Sequence, residues 1–180
     1  MKKTVCFFSV ITAVVITICY MRIGGIEGNA SALSKVGLSH PVFFCLWGVS
    51  TYFALAFNLH TAYGKTKYKF YIPLLAVSLV GMVLTLTCRF EYSNFPVYMA
   101  HCVGSLTFSA VMGVSVFLLF QLTKRYVSAV ISGVVLLADL VLLLIYKETA
   151  LIEVVPVFVG YVLLLINNLR KENVKIEAVR

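Results

Sequence analysis

Charged side chains are scarce in this sequence. Only 12% of its 180 residues are Asp, Glu, Lys or Arg, about half the share typical of soluble domains. The apolar share is 61%, and a chain of this size buries only about 70% of its surface on folding. A core cannot hide that surplus. A soluble globular fold is therefore excluded, and lipid must cover what remains. Acidic residues are the rarest charges, seven against fifteen basic, which leaves a net charge of +8. That excess does not point to nucleic acid, because the basic residues fall in short clusters between apolar runs and form no continuous patch. CxxC pairs are missing, although there are five cysteines (Cys6, Cys19, Cys45, Cys88 and Cys102). Their spacing excludes zinc-finger clusters and suits small apolar packing groups with free thiols. HExxH, GxSxG and P-loop motifs are also absent; no motif implies a cofactor or a resident metal.

What the chain does have is hydrophobic length. A spanning helix needs about 20 mostly apolar residues. Six segments qualify, at about 4–20, 41–60, 71–88, 97–120, 127–146 and 151–169. The expected fold is all-α: a six-transmembrane-helix bundle, polytopic, forming one integral membrane domain over 1–180. Short linkers make successive helices antiparallel neighbours. The first segment also fits a secretory signal peptide, with Lys2 and Lys3 ahead of it and Ala30-Ser31-Ala32 as a small-residue cleavage site. Its long apolar run and the distance from Tyr20 to Ala30 favour an uncleaved helix.

Lys and Arg set the orientation. Eleven of the fifteen fall on one side: Lys2, Lys3, Lys65, Lys67, Lys69, Lys124, Arg125, Arg170, Lys171, Lys175 and Arg180. Arg22, Lys35, Arg89 and Lys147 fall on the other. The positive-inside rule places the larger group, and both termini, in the cytoplasm of a chain in the plasma membrane. The longest loop, 21–39, is then external. Its glycines Gly24, Gly25, Gly28 and Gly37 mark it as flexible, and Asn29-Ala30-Ser31 matches a glycosylation acceptor.

Ionisable groups within a spanning segment are costly and are functional candidates. Here they gather toward the outer side: His101, Asp139, Glu153, His40 and Arg89 are the candidate pocket residues. By helical spacing His101, Ser105, Ser109 and Gly113 share a face. So do Glu153, Pro156, Gly160 and Asn167; Ser78, Gly81, Thr85 and Cys88; and Trp47, Thr51 and Asn58. Small residues at that spacing permit close helix approach, so these stripes face the bundle interior. His101 and Asp139 lie at similar depths on antiparallel neighbours and are expected to face each other, with Glu153 and Arg89 above them. Three function classes remain. The first is a lipid-related or small-ligand-binding bundle with an outer-side polar pocket, its partners membrane lipids and a small ligand. The second is a small proton-coupled transporter. The third is a membrane-embedded hydrolase, using either a metal on His40, His101 and Asp139 or a Ser105–His101–Asp139 arrangement.

The fourth segment reads Ala100-His101-Cys102-Val103-Gly104-Ser105-Leu106-Thr107-Phe108, with Gln121 after the apolar run. It resembles the His-x-x-Gly-small-x-x-Phe helix of the six-helix membrane proteins grouped as Frag1/DRAM/Sfk1, and of the bacterial DUF998-type proteins. The resemblance covers about thirty residues. It implies six helices, a membrane- or lipid-related role and His101 as a position of interest. The membrane hydrolases of the alkaline ceramidase type differ: they have seven helices and three zinc-binding histidines, whereas His60 here falls at the opposite membrane face from His40 and His101.

Overall fold

In a computed structural model of the chain, residues 2–24, 33–146 and 150–170 are described. They form seven helices and no strand: α1 (Lys2–Ile23), α2 (Leu33–Ser39), α3 (Pro41–Tyr63), α4 (Tyr71–Thr87), α5 (Phe95–Leu122), α6 (Tyr126–Tyr146) and α7 (Ala150–Leu169). All but α4 and α2 are long and apolar enough to cross a membrane, five in all; α4 is apolar but has 17 residues. An integral membrane protein is what these helices describe. Large apolar side chains are exposed along them, among them Phe8, Val42, Val80, Val127 and Leu144.

The helix ends follow local chemistry. Pro41 opens α3 at the first turn, where its missing N–H costs nothing. The fifth helix starts earlier than its apolar run, because the Asn94 side chain caps the amide of Val97 and Pro96 fits the first turn. It ends where Lys124 takes a left-handed φ of 55° and the Arg125 amide reaches back to the Phe120 carbonyl at 2.8 Å, a left-handed C-terminal cap.

The third helix is central. It packs on α1, α4, α5 and α7 and buries Trp47, Thr51, Ala54, Leu55, Asn58 and Leu59. The closest pair is α4 with α5. A Cβ at Gly81 would stand 2.7 Å from the Phe108 amide nitrogen and 2.8 Å from the Gly104 carbonyl oxygen. Small-residue contact of this kind holds helices together where lipid offers no hydrophobic drive. The first helix buries Cys6, Val10, Ala13, Thr17 and Tyr20, so it is a working part of the bundle.

The start of α1 and the end of α7 lie at one end of the bundle. The Lys3 ammonium donates to the carbonyls of Leu169 and Arg170, at 3.3 and 3.5 Å, completing the C-terminus of α7. Just inside this end is a buried polar knot. Asn168 donates to the Asn58 carbonyl (2.9 Å) and side-chain oxygen (3.0 Å), while Asn58 donates to Ala54, Ser9 and Cys6.

The segment expected to be a flexible loop holds α2. Leu33, Val36, Tyr20, Phe44 and Trp47 form a compact cluster, and the Tyr20 hydroxyl donates to the Leu33 carbonyl at 2.6 Å. This short helix closes the end of the bundle opposite the termini. The glycosylation triplet, the small-residue cleavage site, Lys147, Lys171, Lys175 and Arg180 lie outside the described residues. All five cysteines are free thiols.

Candidate functional site

The interior stripes come together at the α2 end. A cavity of about 140 Å³ lies among α5, α6 and α7, floored by α3. His101, Ser105 and Ser109 line it from α5, Asp139 and Leu143 from α6, Glu153 and Val157 from α7, and Ser34 and Trp47 from α2 and α3. A smaller apolar void of about 40 Å³ continues it toward Gly113 and Gly160; Phe108, Ser109 and Val157 border both. Leu106 lines the larger cavity and is also 48% exposed, so the cavity reaches the lateral flank of the bundle.

His101 is 99% buried, at 1% exposure, between Phe44 (centroids 6.1 Å apart, stacked) and Phe90 (5.1 Å, edge-on). Its Nδ1 lies 2.8 Å from the Cys88 carbonyl and its Nε2 3.0 Å from Ser34 Oγ. The Ser34 hydroxyl also lies 2.8 Å from Glu153 Oε1, and Glu153 Oε2 accepts the Leu33 amide. Expectation and structure differ here. Helical spacing sets the depth and face of His101, but the groups that meet its nitrogens are Cys88 and Ser34, not Asp139. Asp139 lines the same cavity, and among the described residues nothing hydrogen-bonds to it.

The relay has a fixed proton count. A carbonyl only accepts, so Nδ1 must carry a hydrogen. Ser34 has one hydroxyl hydrogen for two contacts. Either it donates to Glu153 and an imidazolium donates to it, or a protonated Glu153 donates to it and it donates to a neutral imidazole. Both forms have one proton shared between Glu153 and His101, and both carry no net charge. Because Ser34 stands between acid and base, its hydroxyl is committed to the relay.

The other expected site residues fall elsewhere. His40 stands half-buried at the N-cap position of α3, where its side chain makes no capping hydrogen bond, and Arg89 is exposed in the loop after α4; neither lines the cavity. Among the described residues no three His, Cys, Asp or Glu side chains gather as a metal-binding group, so His40, His101 and Asp139 do not converge on an ion. The Ser105–His101–Asp139 arrangement is not assembled either, since both ring nitrogens of His101 are engaged elsewhere.

Sequence reasoning missed Ser34 and Phe90. Both lie in segments read as loops. Spacing puts Trp47 on the interior face, and it lines the cavity with its Nε1 buried and unpartnered among the described residues. Pro156 has no N–H, so the helical bond to the Ile152 carbonyl is not made, and Ile152 lines the cavity too. Comparison of the chain with known protein families, with characterised proteins and with solved structures found no match.

Proposed function

We propose that this protein is a six-span bundle of the plasma membrane, with both termini in the cytoplasm, that holds a small amphiphile in the cavity among α5, α6 and α7. Adjacent ends of α1 and α7 require an even number of crossings, which supports counting α4 as a span. Of the described basic residues, Lys2, Lys3, Lys65, Lys67, Lys69, Lys124, Arg125 and Arg170 sit at the end bearing the termini, against Arg22, Lys35 and Arg89 at the other, and the positive-inside rule gives the orientation. Single cysteines placed at Lys67 and Lys35 in a cysteine-free background test it. Only the one at Lys35 should react with an impermeant maleimide on intact cells; labelling at Lys67 overturns the topology.

One observation carries the binding reading: a cavity with an apolar wall, the Asp139 carboxylate and the Trp47 Nε1 donor lining it without a described hydrogen-bond partner, and a flank beside exposed Leu106. This is the usual form of a small-molecule site. The kinship with the Frag1/DRAM/Sfk1 and DUF998-type proteins is a proposal of the same kind, resting on α5. A carrier would show spanning helices broken near the midplane; α7 runs unbroken through Pro156, which favours binding over transport. Trp47, the sole tryptophan, reports on the site. In an uncharged maltoside detergent, a nonionic brominated alkyl amphiphile should quench Trp47 saturably. Ser105→Phe, which fills the cavity, should remove the saturable part. Linear quenching in both proteins ends the reading.

A further inference from the structure

Among the described residues the charge of the cavity lining is unbalanced. The Glu153–Ser34–His101 relay is neutral in either of its proton arrangements, as its hydrogen count requires. That leaves Asp139, the other carboxylate in the lining. It is half-buried, and among the described residues no donor or cation meets it. Among the described residues no Lys or Arg lines the cavity. A lone carboxylate in a spanning helix is costly unless something answers its charge.

The remaining lining groups suit a cation better than an anion. Trp47 and Phe90 contribute aromatic rings, which attract ammonium groups. The Ile152 carbonyl lacks its helical donor because Pro156 follows four residues later. The hydroxyls of Ser105 and Ser109 make no hydrogen bond to another described residue and are able to accept one. Trp47 Nε1 is a second, independent sign of an occupant: a donor on a side chain that is 5% exposed, with no partner among the described residues. Burying such a group unpaired is unfavourable. The flank beside Leu106, 48% exposed, gives a hydrocarbon chain a way along the apolar wall and out toward lipid.

We propose that the cavity takes a singly charged ammonium amphiphile, its cation held among Asp139, Trp47 and Phe90 and its chain running along the apolar wall. This rests on the binding reading above and names the ligand class for that site. The ammonium belongs either to a free alkylamine or to a lipid headgroup. A zwitterionic phospholipid also brings a phosphate, and the described lining has no basic side chain to receive it. The free monocation is therefore the occupant.

Displacement of the brominated nonionic amphiphile from Trp47 is the test, with the whole chain in maltoside. Three competitors share a ten-carbon chain: decyltrimethylammonium, its neutral isostere with a tert-butyl head, and decylphosphocholine. The cation should displace at roughly tenfold lower concentration than either of the others. Asp139→Asn should abolish that preference and leave the neutral isostere unchanged, and Asp139→Glu should keep it. Equal displacement by cation and isostere, or a preference that survives Asp139→Asn, overturns the proposal while the binding reading stands. Equal displacement by decylphosphocholine overturns the choice of a free monocation. Failure of all three to displace overturns both.

Discussion

Gly81→Val is expected to disrupt the bundle, costing about 3 kcal/mol of stability, the upper part of the overpacking range. The reason is what a Cβ would meet. At Gly81 the nearest atoms are backbone: the Phe108 amide nitrogen at 2.7 Å and the Gly104 carbonyl oxygen at 2.8 Å. At Gly104 they are Leu84 Cβ at 2.7 Å and the Gly81 carbonyl oxygen at 2.8 Å. Neither set can rotate away, so α4 and α5 must move apart. Gly133 is a control on the next interface, where a Cβ would find the Phe117 ring at 3.3 Å, and Gly133→Ala should be nearly silent. Ala76, exposed on α4, is a second control as Ala76→Val. The check is thermal unfolding in detergent, followed by size-exclusion of the heated sample. A Gly81→Val protein melting within about 2 °C of the parent would remove the close-packing argument, since even 1 kcal/mol moves a domain of this size by that much.

Asn168→Leu is expected to cost about 2 kcal/mol. Interhelical hydrogen bonds in membranes average about 0.6 kcal/mol, so the larger figure needs a reason. Asn168 and Asn58 are 1% and 0% exposed, and the Asn168 amide donates to both the carbonyl and the side-chain oxygen of Asn58. Removing it strands buried acceptors, which costs about 1–3 kcal/mol. The two residues join α7 to α3, and the Asn58 amide in turn reaches Cys6 and Ser9 on α1. A double-mutant cycle with Asn58→Leu should be strongly non-additive, the double variant no less stable than the worse single one. Simple addition of the two costs would show that the residues do not act as a unit.

The long helices and their interior faces were legible in the sequence because lipid imposes both. Length follows from membrane thickness. Polar and small residues turn inward because facing lipid is costly; Trp47, Thr51, Asn58, Ser78, Gly81, Thr85 and His101 are all buried. Rotation about a helix was harder to read. Depth arithmetic brought Asp139 level with His101, but it could not choose between Asp139 and Ser34, because Ser34 comes from a seven-residue helix too short for a hydropathy window. The same blindness hid α2, which lies in a segment, 21–39, whose glycines suggested a loop. In the structure Gly37 is instead where α2 meets the Phe44 ring, with room for no Cβ.

The α4–α5 pair has one more consequence if the bundle spans a bilayer as proposed. At about 1.5 Å per residue, the 17 residues of α4 reach about 26 Å and the 28 of α5 about 42 Å, yet the two are bound along their glycine contact and cannot slide independently. The hydrocarbon layer is about 30 Å thick. Lipids beside Ile72, Val77, Val80 and Val83, the exposed strip of α4, therefore meet a belt that is too short, while those beside α5 meet one that is too long. Hydrophobic mismatch of this kind is relieved by tilt or by local thinning. The annular lipids around α4 should be enriched in shorter or more disordered chains, and bilayer thickness becomes a lever on how the protein sits.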